Sequence, residues 1–166
     1  HPFGNNFVVD KLEQEGAEVV LPDFMGFVKF IATHKITFNQ LIKTGAVKAN
    51  VFKYAIKLID ILEKDSVKAL SIGNQTGEGW FLTAEMIEYI EHGIPNIVCV
   101  QPFACLPNHV VGKGVIKTIR SKYPNANIAP IDYDPGASEA NQTNRLKLLM
   151  TVAKDNLKRE QQKNKK

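Results

Sequence analysis

Apolar residues recur along the chain at two spacings, that of a helix and that of a strand. In residues 5–15, Phe7, Val8 and Leu12 fall on one side of a predicted helix. Residues 17–21 then form a short run rich in β-branched side chains, which predicts a strand. A helix, a glycine and a short strand in this order are typical of a layered α/β fold.

The pattern is less regular in the middle of the chain. Residues 23–62 carry apolar side chains mostly at helical spacing, and residues 67–72 fit either a helix end or a strand. A polar, glycine-rich loop follows over residues 73–79. Residues 80–91 predict a helix whose three glutamates face outward, and Gly93 marks its end.

Strands and helices alternate in the last third of the chain. Residues 96–100 are an unbroken apolar run, typical of a buried parallel strand, and residues 126–131 predict another strand. Helices are predicted over residues 110–122 and 138–158. We therefore expect an α/β fold whose small, mostly parallel sheet is flanked by helices on both faces, with Rossmann or flavodoxin-like layering.

Charge divides the chain into a body and a tail. The net charge is +4, and the six basic and two acidic residues from Lys154 onward account for all of it. The neutral body argues against a nucleic-acid-binding face on the fold. We expect a single α/β domain over residues 1–153, followed by a basic polar tail over residues 154–166.

Targeting signals and cysteine usage indicate the compartment. No apolar run approaches the roughly 18 residues of a membrane helix, and the amino terminus lacks the apolar core of a signal peptide. Cys99 lies in a predicted core strand and Cys105 in the following loop, which is a poor arrangement for a disulfide. We therefore expect a cytoplasmic protein without membrane contacts. Because the chain begins His1-Pro2 and not with methionine, we also expect it to be a fragment of a longer protein.

Cys105 is the residue around which we expect the chemistry. It follows the carboxyl end of predicted strand 96–100, between Pro102 and Pro107, and ligands of open α/β sheets bind at that edge. Cys105 is a metal or iron–sulfur ligand, a nucleophile with His109 as its base, or a small buried apolar residue. One cysteine cannot hold a four-iron cluster, so a cluster here needs further ligands from outside this chain.

Three polar loops are expected to line one cleft near Cys105. Backbone N–H groups before the predicted helix at residues 80–91 can hold an anion, although a glutamate there opposes this. Unusual backbone angles explain the glycines of that loop equally well, and a turn explains the acidic loop at residues 132–136. No catalytic residue is assigned. The residues that we assign to a cofactor-binding cleft are Gly77, Glu78, Gly79, Asn108, Asp132 and Asp134.

Three runs of residues resemble one protein family. They are GNQTGEGWFLTAEMIEYIEHG at 73–93, PNIVCVQPFACLPNHVVGKG at 95–114 and DYDPGASEANQTNRLKL at 132–148. They are similar to the carboxyl-terminal part of large proteins related to the 2-hydroxyacyl-CoA dehydratase activator. Those proteins combine activase-like domains with a dehydratase-like region. The resemblance extends over about residues 1–150.

The resemblance implies an anaerobic electron-transfer function. In the dehydratase relatives, cysteines of several domains ligate [4Fe–4S] clusters, and an ATP-driven activase delivers single electrons. Cys105 is the position in this chain that can be one such ligand. The implied function is a cluster-ligating domain of an ATP-dependent reductase or dehydratase. Its partners are the other domains of the parent protein, an activase domain and an acyl-CoA-type substrate.

The alternative is a non-catalytic α/β scaffold or docking domain of a CoA-substrate-specific enzyme activase, in which Cys105 is merely buried. This chain lacks the ATP-binding domains and the other cluster cysteines of the family. We therefore expect the isolated chain to hold no cofactor and to be inactive alone.

Overall fold

The computed structural model describes residues 2–22 and 79–163. Its regular elements in chain order are a 3-10 turn (Pro2–Asn5), helix α1 (Val8–Gln14), helix α2 (Gly79–Glu91), strand β1 (Asn96–Gln101), a π-helical segment (Pro107–Lys113), helix α3 (Gly114–Lys122), strand β2 (Asn127–Asp132) and helix α4 (Glu139–Lys163). The predicted helices over 23–62 and the ambiguous residues 67–72 lie outside the described residues.

The two strands form a parallel pair, with Asn96 opposite Asn127 and Gln101 opposite Asp132. The π-helical segment and α3 connect them, as a parallel connection requires. The described part of the chain is therefore a mixed α/β fold with a small, two-stranded parallel sheet. Because parallel strands end at the same edge, the side chains of Gln101 and Asp132 are neighbours at the carboxyl edge of this sheet.

The first apolar cluster joins α2 and α3 to the sheet. Its residues on α3 follow the predicted helical spacing, and Cys99 contributes from β1, which confirms the prediction that Cys99 is a core residue. The end of α2 is confirmed too: Gly93 has φ +84°, and the N–H groups of Gly93 and Ile94 close the last turn. The buried members are Met86, Ile87, Ile90, Cys99, Val115, Ile116, Ile119, Ala126 and Ile128.

The second apolar cluster joins α1 and α4 to the sheet. Val98 and Ala129 pack against it, whereas their chain neighbours Cys99 and Ile128 belong to the first cluster. This division follows the two-residue period of a strand, whose successive side chains point to opposite faces. The buried members of the second cluster are Val8, Leu12, Ile131, Tyr133, Leu146, Leu149 and Met150.

The outer edge of β2 is closed by side chains. The carbonyl oxygen of Ile128 accepts a hydrogen bond from Arg120 of α3 (2.7 Å), and that of Pro130 accepts one from Arg145 of α4 (2.8 Å). Pro130 has no N–H to offer. The two arginines thus occupy the carbonyl groups that another strand would need, and the proline offers no N–H. Such features protect exposed sheet edges from further pairing.

Two predictions near the amino terminus are wrong. Residues 17–22 belong to no helix or strand in the structure. Ala17 and Val19 of that run instead pack as a loop against the second cluster, whereas Val20 and Leu21 are exposed. Phe7, predicted to face the core, is 41% exposed because α1 begins one residue later. Its left-handed φ of 55° precedes the helix, and its ring packs edge-on against Phe3.

Helix α4 continues through most of the predicted tail and ends at Lys163. Leu157 continues the helical spacing of the apolar residues of α4, but it is 56% exposed because the second cluster ends at Met150. Among the described residues, no helix combines the length and the apolar character needed to cross a membrane.

We predict that Gly79→Ala destabilises the protein. A Cβ at Gly79 would lie 2.4 Å from Cγ2 of the fully buried Val111, so α2 or the π-helical segment must shift. Overpacking of this kind costs about 1–3 kcal/mol of unfolding free energy, which urea denaturation measures.

Gly114→Ala is the matched control, because Gly114 begins α3 and its Cβ would meet nothing within 4 Å. We expect a gain of roughly 0.5–1 kcal/mol there from the better helix propensity of alanine. Equal stability of the two variants would contradict the close approach of α2 to Val111.

Candidate functional site

Asp132 is the centre of a polar cluster at the carboxyl edge of the sheet. Lys113 Nζ lies 3.2 and 3.1 Å from its two carboxylate oxygens, and Gln101 Nε2 donates to Oδ1 at 2.5 Å. His109 Nε2 lies 3.4 Å from the same Oδ1. The strand register brings Gln101 beside Asp132, and the π-helical segment places His109 and Lys113 above them.

The cluster keeps Asp132 ionised. Burial alone would raise its pKa, but hydrogen bonds from Gln101 and Lys113 and the charges of Lys113 and His109 outweigh burial. The net result is a pKa below the usual range of an aspartate. Asp132 is therefore a carboxylate at neutral pH, with Lys113 as its main counter-ion.

Gln101 is fully buried, and the orientation of its amide is fixed by Asp132. A carboxylate only accepts hydrogen bonds, so Nε2 must be the atom that faces it. The other amide atom, Oε1, is buried and has no hydrogen-bond partner. An unsatisfied buried acceptor costs about 1–3 kcal/mol, and such groups in native structures are often found where function demands them.

The loop after β1 presents the Cys105 thiol at the same edge. Ala104 adopts a left-handed backbone (φ 59°), and the N–H of Cys105 closes a turn onto the carbonyl of Pro102 at 3.3 Å. Cys105 is half-buried, and its Sγ accepts a hydrogen bond from Nδ2 of the buried Asn108 at 3.1 Å. Asn108 belongs to the π-helical segment, a geometry that is frequent at functional sites.

The His109 ring contacts a backbone carbonyl and a carboxylate, and not the thiol of Cys105. Nδ1 lies 3.1 Å from the carbonyl oxygen of Cys105, and Nε2 faces Asp132. Both partners only accept hydrogen bonds, so the ring satisfies both contacts at once only when both nitrogens are protonated. The structure thus gives His109 a role in orienting the cluster and provides no support for a Cys105–His109 pair of nucleophile and base.

The structure brings some of the predicted cleft residues together and separates others. Asn108 contacts the Cys105 thiol, and Asp132 is connected to the Cys105 carbonyl through the His109 ring. Gly79 is the first residue of α2 and packs against Val111. The carboxylate of Asp134 accepts a hydrogen bond from the N–H of Gly136 at 2.8 Å, so it stabilises its own turn. Gly77 and Glu78 lie outside the described residues.

Two members of the cluster, Gln101 and Lys113, were missed by the sequence analysis. The signal for Gln101 was its place as the polar residue that ends an apolar strand. The signal for Lys113 was its position four residues after His109, which puts both on one side of a helical segment. The glycines on either side of Lys113 lie inside helical turns and not in a loop.

Two titratable groups near the site, one thiol and one carboxyl group, have raised pKa values. Burial raises the pKa of the Cys99 thiol to about 11, although the charge of Lys113 opposes this rise. Burial and the charge of Glu88 raise the pKa of Glu85 to about 7. Glu85 was predicted to face solvent, but the structure has it half-buried. Cys99 remains a protonated thiol at neutral pH.

Comparison of the chain with protein-family models, curated proteins and solved structures gives no match. Within residues 2–22 and 79–163, no group of three or more histidine, cysteine, aspartate or glutamate side chains is arranged to hold a metal ion.

We predict that Glu85→Gln is more stable than the wild type at pH 8 and equally stable at pH 4. A raised pKa means that the native state holds its proton more tightly, so wild-type stability falls as the pH rises from about 4.5 to about 7. The neutral glutamine lacks this loss. We expect a difference on the order of 2 kcal/mol above pH 7, measured by urea denaturation at several pH values.

Glu13→Gln is the control, because Glu13 is exposed on α1. Its stability relative to the wild type should not change between pH 4 and pH 8. A flat profile for the Glu85 variant as well would show that Glu85 is solvated.

Proposed function

We propose that this chain is an iron–sulfur cluster-ligating domain of a larger ATP-dependent reductase or dehydratase that acts on an acyl-CoA-type substrate. In this proposal, Cys105 supplies one thiolate to a [4Fe–4S] cluster, and other domains supply the remaining ligands. The observation that carries the proposal is the position of Cys105 Sγ, which is half-buried at the carboxyl edge of the sheet and is held by Asn108. A bound cluster would supply one-electron redox chemistry.

The hydrogen bond from Asn108 supports a thiolate at Cys105. An amide N–H directed at sulfur stabilises the negative charge that a ligating thiolate carries, and such bonds tune the potential of clusters. Asn108 is 8% exposed and is held by the π-helical segment, so its amide is kept in place. Cys99 offers the contrast, because it is 7% exposed and its thiol is surrounded by the first apolar cluster.

The surroundings of Cys105 suit a ligand that is shared between domains. Phe103, Leu106 and Val110 are 70%, 61% and 52% exposed and lie on either side of Cys105 in the chain. A partner domain that buried these side chains would exclude water from a cluster at this edge. Because the described residues hold no set of three ligands, such a partner would also have to bring the other thiolates.

The layering of the fold supports a ligand site at this edge. In our proposal the sheet has helices on both faces, α2 and α3 on one and α1 and α4 on the other, because the two apolar clusters divide the strands in this way. Further strands would join at β1, because the outer edge of β2 is closed. Strand β1 would then be an inner strand, and ligands of such sheets bind beyond the carboxyl ends of inner strands.

The second candidate is a scaffold or docking domain without a cofactor. The exposed side chains of Phe103, Leu106 and Val110 favour it independently of any cluster, because an apolar patch of this kind is typical of an interaction surface. In that case Cys105 is a half-buried residue of the docking surface.

We predict that Cys105→Ala lowers the iron and sulfide content of the parent protein and its visible charge-transfer absorption. The experiment is anaerobic reconstitution of the longest natural protein that contains this chain, with circular dichroism to verify folding. The loss of one thiolate ligand should remove most of the absorption of that cluster.

Cys99→Ala is the matched control, because the buried Cys99 thiol stays protonated at neutral pH. It should leave iron and absorption unchanged. If Cys105→Ala also leaves them unchanged, the cluster proposal is wrong. The docking alternative then predicts that Leu106→Glu weakens association with the other domains of the parent.

A further inference from the structure

A groove of about 430 Å³ lies between α3 and the outer side of β2, below the polar cluster. Its floor is aliphatic and consists of Ile116, Ile128 and Pro130, and its rim is cationic and consists of Lys113, Lys117 and Arg120. The volume is in the range of small-molecule sites, which are mostly apolar with a few placed polar groups.

The rim carries positive charge that the described residues do not neutralise. Lys113 is paired with Asp132, but Arg120 donates to the neutral carbonyl of Ile128 and so keeps its full charge while its guanidinium is held in place. Lys117 forms no ion pair in the part of the chain that the structure describes. Among residues 2–22 and 79–163, no carboxylate lines the groove.

The structure argues against two macromolecular occupants of this groove. A β-strand cannot add to β2, since Arg120 and Arg145 already occupy the outward carbonyls and Pro130 lacks an N–H. Single-stranded nucleic acid is disfavoured because no aromatic side chain of the described residues lines the groove to stack on bases. A small anionic molecule with an apolar part fits the charge of the rim and the aliphatic floor better than either of these.

We propose that this groove binds a diphosphate ester with an apolar organic body. The three cationic side chains lie on successive turns of one helical face, four and three residues apart, so an extended diphosphate group can contact them in a row along the rim. The organic body covers the aliphatic floor, and the diphosphate lies along the rim. The ester is a nucleoside diphosphate or an isoprenyl diphosphate, which share this chemistry. The proposal does not depend on a cluster at Cys105.

The test is calorimetric titration of the full chain with three probes that share the diphosphate: inorganic pyrophosphate, ADP and geranyl diphosphate. We expect one of the two esters to bind at least about tenfold more tightly than pyrophosphate, because its body buries apolar surface. We expect Lys117→Gln to lower the affinity for that ester about fivefold or more, because one charge-assisted contact is lost.

Lys122→Gln is the matched control, since Lys122 is exposed at the end of α3 and does not line the groove. It should change the affinity by less than about twofold. Tighter binding of ADP assigns the nucleoside ester, and tighter binding of geranyl diphosphate assigns the isoprenyl ester. If neither ester binds more tightly than pyrophosphate, or if both lysine variants weaken binding equally, the proposal is wrong.

Discussion

The carboxyl edge of this fold depends on the contacts of one ionised carboxylate, that of Asp132. It is contacted by Gln101 from β1 and by Lys113 and His109 from the π-helical segment, while its own backbone ends β2. A half-buried carboxylate is costly unless its partners compensate for lost hydration, and here they lower its pKa in spite of burial. The same contacts fix the direction in which the π-helical segment leaves the sheet, and so the position of the Cys105 loop.

This arrangement also contains three energetically costly features. The Oε1 atom of Gln101 is buried without a donor, Ala104 has a left-handed backbone, and residues 107–113 depart from α-helical geometry. Each departure costs free energy, and all three lie within the same loop and strand end. The apolar clusters beneath are regular and well buried. These costly features beside a partly exposed thiol are therefore a physical argument that this edge of the sheet was selected for something other than stability.

The local sequence pattern was sufficient to predict α2, α3, both strands and α4, because the spacing of apolar residues within each segment is that of a helix or of a strand. It was sufficient for Cys99, which lies inside an apolar strand, and for the turn at Asp134. It failed for residues 17–21, where Ala17 and Val19 pack as a loop against the second cluster and not in a sheet, and for Glu85, whose burial depends on packing. The cluster around Asp132 could not be predicted, because strand register sets it across 31 residues of chain.

Lys113 connects the two regions to which we assign function. Its ammonium group neutralises Asp132 at the sheet edge, and its side chain also lines the rim of the groove between α3 and β2. An anion in the groove and the carboxylate of Asp132 would therefore share one cation. Binding of the anion would weaken the hold of Lys113 on Asp132, and by linkage a change at Asp132 would alter anion affinity by the same free energy. The fold thus couples the edge that carries Cys105 to a groove on its flank through a single side chain.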